Sequence, residues 1–196
     1  MAFRKPNDYD SVNIGAYKIL PAGGYICRIL KAEETKSSTG KDMLKVALDI
    51  CDGDFAGYFM ESFQDRKSAA EDPASVKWPF SGTKWILFLD NEGKTNRDFK
   101  RFCTALEDSG TQVWKNDTLD IGALKDAQVG VLFRREEHEY NNLKSWRTVP
   151  LSFRSVKAIE DGDYQTPEDK PLADKYAGTG FTQVDSFSAA ADDIPF

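Results

Sequence analysis

The side chains best suited to binding a ligand lie in residues 143–159, a segment in which apolar and polar side chains alternate. In a β-strand Lys144, Trp146 and Arg154 project to one side, because strand side chains alternate with a period of two. The indole offers a flat apolar surface and the cations offer positive charge. An unpaired nucleic-acid strand is a charged chain of flat bases, and its sequence-tolerant binding needs these groups together. The segment therefore predicts a binding surface for a single strand.

Turns and loops elsewhere contribute similar aromatic and cationic groups. The predicted nucleic-acid-binding residues are Lys36, Lys41, Lys45, Tyr58, Arg66, Lys67, Lys77, Trp78, Arg134, Tyr140, Lys144, Trp146 and Arg154. Each also has a structural alternative: Trp146 could cover a hydrophobic seam, Trp78 could pack within its loop, and any one cation could be an ordinary solvated charge. Glu136, Glu137 and Glu139 argue against a simply basic groove at the turn that precedes residue 143.

The sequence offers little for catalysis. No glycine-rich loop of the GxxxxGK[ST] kind is present, and His138 is the only histidine. Zinc would need several carboxylates around His138, and none has suitable spacing. We therefore expect a protein that is not an enzyme and that uses no metal or other cofactor.

Composition predicts a soluble protein of the cytoplasm. There is no run of about 18 apolar residues and no apolar stretch near the N-terminus. Cys27, Cys51 and Cys103 are an odd, widely spaced set, which fits a reducing compartment better than a disulfide framework.

Apolar periodicity predicts three strands, an excursion containing a helix, and two further strands. Strands are expected at 25–35, 43–50 and 58–63, then at 127–139 and 143–159, and a helix at 96–109. Residues 83–89 could be a strand or the start of a helix, and residues 64–82 form a long loop. This order favours a mainly β, five-stranded OB-fold-like Greek-key barrel with a helical insertion between strands three and four. Another small α+β sheet is the alternative.

The predicted organisation is an extended arm at 1–20, an OB-fold domain at 21–160, and a disordered acidic tail at 161–196. The tail carries eight carboxylates and two lysines, a net charge of −6 that equals the charge of the whole chain. The rest of the chain is therefore neutral, and its cations are free to cluster on one surface.

The tail ends in Asp192, Asp193, Ile194, Pro195 and Phe196. Carboxylates beside two large apolar side chains form a compact ligand for a pocket lined by basic residues, and the long tether raises its local concentration. A solubilising tail with an accidental apolar end is the alternative. The pentapeptide therefore predicts a binding site for partner proteins.

This terminal pentapeptide resembles the acidic tip of bacterial-type single-stranded DNA-binding proteins. The body resembles phage-encoded single-stranded DNA-binding proteins with an OB-fold, on the stretches 7–10, 20–27, 48–50, 57–59, 129–131 and 153–156. The resemblance implies single-stranded DNA binding in replication, recombination or repair, in the host bacterial cytoplasm, with replication or repair proteins recruited by the tip. Residues 83–89 depart from the pattern in their tryptophan and aliphatic content. A protein-binding OB module, or a recombination accessory protein without DNA binding, is the alternative, and self-association stays open.

Overall fold

The computed structural model describes residues 4–5, 19–141 and 143–172. In chain order the elements are β1 (Gly23–Lys36), β2 (Asp42–Ile50), α1 (Tyr58–Ala69), β3 (Thr83–Leu87), α2 (Arg97–Asp108), β4 (Trp114–Lys115), β5 (Thr118–Leu119), α3 (Ile121–Leu124), β6 (Gln128–Tyr140), β7 (Leu143–Arg154) and α4 (Val156–Glu160). None of these helices is both long and apolar enough to cross a membrane.

Five strands form one antiparallel sheet in the order β3-β2-β1-β6-β7. Alternation explains the sheet's core side, because Leu44, Val46 and Leu48 of β2 are fully buried at every second position. The predicted mainly β fold with five main strands is confirmed, and so is the helical insertion, because α2 lies between the third and fourth strands of the sheet in chain order. The smaller β4–β5 pair lies within the same insertion.

The sheet curls but does not close into a continuous barrel. In the described residues no backbone ladder joins its edge strands, β3 and β7. A side chain bridges them instead, because Lys84 Nζ donates to the Leu151 carbonyl oxygen at 3.0 Å. Burial lowers the pKa of Lys84, since removal from water disfavours the ammonium.

Aromatic side chains from the helices fill the interior. Phe59 of α1 stacks on Phe133 of β6 with ring centroids 5.8 Å apart, and Phe102 of α2 meets the edge of Phe153 of β7 at 4.8 Å. All four are almost completely buried. Burying one large apolar side chain contributes about 1.5–3 kcal/mol, so these contacts fix both helices against the sheet.

The strand predicted at 58–63 is wrong, because these residues begin helix α1. Gly57 precedes the helix with a left-handed φ of 79°. The Asp49 carboxylate, on β2, accepts hydrogen bonds from the amides of Phe59 at 2.9 Å and Met60 at 3.4 Å. This acceptor lies on the preceding strand, ten residues before Phe59, so the residues of the helix itself do not reveal it.

The third strand of the sheet is β3, which falls in the run that periodicity left open. The helix predicted at 96–109 is confirmed as α2, and the Asn96 side chain caps it by accepting from the Asp98 amide at 2.8 Å. The last strand ends earlier than predicted, at Arg154, because the Ser155 hydroxyl accepts from the Ala158 amide and starts α4.

The C-terminal segment stays on the body beyond the predicted boundary at 160. Asp163 donates its amide to the Ala158 carbonyl at 2.8 Å, and Lys170 exchanges backbone hydrogen bonds with β6. The predicted arm is described only in part, at 4–5 and 19–20. The remainder of the predicted tail, 173–196, lies outside the described residues, and so do the predicted partner-binding residues Asp192, Asp193, Ile194, Pro195 and Phe196.

Candidate nucleic-acid interface

The side of β1, β2 and β3 that faces away from the core carries charged and aromatic side chains in one row. Strand register places Glu33 of β1 opposite Lys45 of β2, and Lys45 opposite Trp85 of β3. Lys45 Nζ lies 3.0 Å from Glu33 Oε1, and Lys31 Nζ lies 2.8 Å from Glu33 Oε2. Hydrogen bonds from Lys31 and Lys45 hold the pKa of Glu33 below its usual value. The Glu33 carboxylate therefore stays charged around neutral pH.

An aromatic stack continues this row toward β7. The rings of Trp85 and Phe80 lie 5.1 Å apart at an interplanar angle of 36°. Arg147 Cζ lies 4.4 Å from the centroid of the Phe80 ring, which is within cation–π distance. We name Lys31, Glu33, Lys45, Phe80, Trp85 and Arg147 the aromatic–cation face.

Phe80 is held in place by the turn that begins with it, a 3-10 helix at Phe80–Gly82. The Trp78 indole donates to the Gly82 carbonyl at 3.1 Å from inside the core. A Cβ at Gly82 would lie 2.8 Å from Trp78 Nε1 and 2.9 Å from Phe59 Cγ, so no larger residue fits there without displacing the turn. The close packing around Gly82 thus fixes the turn that carries Phe80.

Further charged side chains lie beside the aromatic–cation face. Arg134 Nη2 lies 2.5 Å from Glu136 Oε1, and Glu136 stands across from Arg147 in the β6–β7 register. Lys31, Lys45, Arg134 and Arg147 thus face only Glu33 and Glu136 among these named groups. Such an excess attracts phosphates, while the two carboxylates reduce its strength.

A second group, which we name the hairpin patch, comprises Arg135, Lys144 and Trp146 on the β6–β7 hairpin. Trp146 is 41% exposed, so its ring is accessible from solvent. Arg135 Cζ lies 5.1 Å from the Trp146 ring centroid, and Arg135 Nη1 lies 3.3 Å from Asp169 Oδ2. Tyr140 is 71% exposed at the end of β6, beside the turn.

Arg154 does not share a face with Trp146, so this prediction is wrong. The register shifts between Leu132 and Phe133, which leaves one extra residue in β7. Trp146 pairs with Glu137 of β6, whereas Arg154 pairs with Gly130. Side chains alternate between the two faces along β6, so Glu137 and Gly130, which are seven residues apart, lie on opposite faces. Their partners Trp146 and Arg154 therefore lie on opposite faces too, because of the bulge in β7.

Two further predicted binding residues are less accessible than their types suggested. Trp78 is 8% exposed and packs against Phe63 at 5.3 Å, so the structure favours the packing alternative for it. Lys45 is 4% exposed, pairs with Glu33 and stands opposite Trp85 in the strand register. Sequence alternation indicated that Lys45 faces away from the core, but it could not show how completely neighbouring side chains cover it.

The remaining predicted cations and Tyr58 lie in other environments. Lys36 pairs with Asp42 at 2.6 Å and Lys41 bonds to Asn91, both near the β1–β2 turn. Tyr58 is half-buried with its ring against Phe55 and Phe59. A third set lies around α1: Arg66 donates to the Lys77 carbonyl at 3.0 Å, and Lys67 Nζ lies 5.5 Å from the Phe63 ring. Arg66 and Lys67 therefore contact residues of α1 and of the segment that follows it.

Sequence reasoning missed Lys31, Phe80, Trp85 and Arg147 as site residues. The signal for Trp85 was present, because in a strand at 83–89 the neighbouring side chains of Lys84 and Trp85 would point to opposite faces. Arg147 carried no such signal, because its contact with Phe80 joins two residues far apart in the sequence. Within the described residues no group of three or more His, Cys, Asp or Glu side chains could hold a metal ion.

The fold and this face define a mainly β protein with an aromatic, cation-bearing surface on a five-stranded sheet. Residues 7–67 match the sequence profile of a family described as a protein of unknown function (DUF669). The matched stretch contains β1, β2 and most of α1, which is less than half of the chain. No curated protein matches the chain.

Proposed function

We propose that this protein is a non-enzymatic, sequence-tolerant single-stranded DNA-binding protein of phage type, acting in replication, recombination or repair. The observation that carries the proposal is the Arg147–Phe80–Trp85 stack beside Lys31 and Lys45 on the aromatic–cation face. Lys45 and Trp85 of this face lie on β2 and β3, and the second and third strands of OB-folds carry a face that binds oligonucleotides. The resemblance of the body to phage single-stranded DNA-binding proteins supports the same function.

The two kinds of group on this face match the two parts of a DNA strand. Trp85 is half-buried and held by Phe80, so a base can stack on it without first ordering the ring. Base stacking contributes on the order of 1–3 kcal/mol. Lys31 and Arg147 neutralise phosphates, which releases counterions and makes affinity fall as salt rises.

The test is fluorescence polarisation of a labelled oligo-dT at a low and a high salt concentration. We expect wild-type binding to weaken with salt, and Trp85→Ala to weaken it by about five-fold or more at low salt, which corresponds to the loss of one stacking contact. Trp114→Ala is the matched control, because Trp114 is also partly exposed but lies on the separate β4–β5 pair. Circular dichroism establishes that both variants are folded.

Equal affinities of folded Trp85→Ala and Trp114→Ala would show that the aromatic–cation face does not bind the bases. Arg147→Gln gives an independent measure, since it should weaken binding and flatten the salt dependence while leaving Trp85 in place. If neither variant changes wild-type binding, DNA binds elsewhere on the protein.

The alternative is a protein-binding module or a recombination accessory protein without DNA binding. It is favoured by Glu33 and Glu136, which already pair with Lys31, Lys45 and Arg134. Wild-type protein that fails to bind oligo-dT even at low salt would support this alternative.

The proposed partner function belongs to the terminal residues Asp192–Phe196. Their carboxylates and apolar side chains provide a ligand for a basic, apolar pocket on a replication or repair protein. A DNA-bound body then carries that ligand in the same chain, which raises its local concentration near the DNA.

A further inference from the structure

A short C-terminal segment occupies the free edge of the β6–β7 hairpin. β1 pairs with β6 only as far as Gly23 opposite Phe133, so β6 has no β1 partner beyond that residue. Residues 168–172, which we name the strap, lie along this edge. The Lys170 amide donates to the Arg135 carbonyl at 2.8 Å, and the Glu137 amide donates to the Lys170 carbonyl at 2.9 Å. The strap thus adds a one-residue parallel bridge at Glu136 and Lys170.

The strap engages the charged groups of the hairpin patch. Asp169 Oδ2 lies 3.3 Å from Arg135 Nη1, and Arg135 lies over the Trp146 ring. The Leu172 amide donates to Glu137 Oε2 at 3.0 Å, and Glu137 stands directly across from Trp146 in the register. One carboxylate of the strap therefore uses the cation that would otherwise be available next to an exposed indole.

The contact between Asp169 and Arg135 suits reversible displacement. Both side chains are about two-fifths exposed, at 42% and 39%. Exposed ion pairs are weak, since water and salt screen them. A DNA phosphate is an acceptor of the same charge type and forms two-pronged contacts with arginine.

We propose that the hairpin patch is a second subsite for single-stranded DNA and that the strap closes it until a phosphate displaces Asp169 from Arg135. The inference rests on the proposed function and deepens it. Arg135 then binds the phosphate while Trp146 stacks with the neighbouring base. The strap lowers affinity at this subsite, so removing its charge raises the affinity of the whole protein.

The test compares oligo-dT affinities of full-length Asp169→Asn and Glu168→Gln at low salt. Both variants remove one negative charge from the strap, but only Asp169 pairs with Arg135. We expect Asp169→Asn to bind about two- to five-fold more tightly than wild type, the range set by an exposed ion pair. Glu168→Gln should change affinity less.

Trp146→Ala in the Asp169→Asn background provides the second arm. If the strap closes a stacking subsite, Trp146→Ala removes the gain. Equal effects of Asp169→Asn and Glu168→Gln, or a gain that persists without Trp146, would overturn the subsite. If Trp85→Ala weakens binding but Asp169→Asn leaves it unchanged, only the strap proposal fails. If wild type and all variants do not bind, both proposals fail.

Discussion

Burial gives charged and reactive side chains roles that their residue types alone do not indicate. Lys45 and Asp49 both lie on β2 and are 4% and 8% exposed, yet Lys45 pairs with Glu33 whereas Asp49 accepts helix amides. Burial is also the main cause of a raised pKa at Asp49, because the carboxylate loses water that its hydrogen bonds only partly replace. The same effect acts on the three cysteines, which are all free thiols with raised pKa values.

Cys103 gives a prediction about stability in alkaline solution. Burial raises the pKa of its thiol from 9.0 to about 11. Between these values the unfolded chain ionises while the folded protein keeps the proton, so stability is lost as pH rises. We expect the free energy of unfolding of wild type to fall by about 2 kcal/mol more than that of Cys103→Ala between pH 9 and 11.

Urea denaturation of both proteins at pH 8, 9, 10 and 11 measures this difference. The comparison with Cys103→Ala cancels groups that titrate in both proteins, including Lys84 and Tyr25. Parallel pH profiles would contradict the prediction, because they would mean that the Cys103 thiol has the same pKa in folded and unfolded chains.

At the scale of single residues, the sequence identified the candidate aromatic side chains but not which of them are buried. Trp146 and Trp78 were both candidates for base stacking, each with a packing alternative, and only Trp146 is exposed. Trp85 was left unassigned, although it forms the centre of the aromatic–cation face. Which aromatic ring faces water depends on the helix and turn packed beside it, and those contacts join residues far apart in the sequence.

Secondary-structure elements were predictable where their own residues determine them. α2 carries apolar residues at helical spacing and its own cap, Asn96, so periodicity located it. β2 alternates and was also located. α1 was mistaken for a strand, because its first turn depends on Asp49 of a preceding strand. The bulge in β7 likewise depends on pairing with β6, and it changed the face of Arg154.

The role of Asp49 at the start of α1 can be tested by substitution. Asp49→Ala leaves the amides of Phe59, Met60 and Ile50 without this acceptor. Leaving a buried donor unsatisfied costs about 1–3 kcal/mol, so we expect a loss of stability of that size in urea denaturation. Asp49→Asn keeps one acceptor oxygen and should lose less.

Asp54→Ala is the control for this prediction, because Asp54 is an exposed carboxylate in the nearby turn at Gly53–Phe55. Substitution there should change the free energy of unfolding by less than about 0.5 kcal/mol. A similar small change at Asp49 would mean that water replaces its hydrogen bonds and that α1 begins independently of β2.

At the scale of the whole molecule, charge is divided unequally along the chain. Residues 161–196 carry the entire net charge of −6, and residues 161–172 of this stretch contact the body through α4 and β6. A truncation at 160 would therefore remove the strap as well as the acidic residues after it. Truncation after Leu172 separates the two, because it retains every described contact of the strap.

This division leads to a prediction about the last 24 residues, 173–196. They carry four side-chain carboxylates and one lysine. If the body binds DNA as proposed, the negative charge of these residues competes with DNA for the cations of the body. We expect truncation after Leu172 to tighten oligo-dT binding or leave it unchanged at low salt, with any gain decreasing as salt screens the charges.

Deletion of Phe196 alone should leave oligo-dT affinity at the wild-type value, because it removes one aromatic ring and keeps all the side-chain carboxylates. The same deletion should abolish binding to a purified replication or repair protein that binds the full-length chain, measured by calorimetry, since it removes the aromatic anchor of the acidic pentapeptide. If the Phe196 deletion weakens DNA binding and partner binding equally, the body and the tip do not have separate functions.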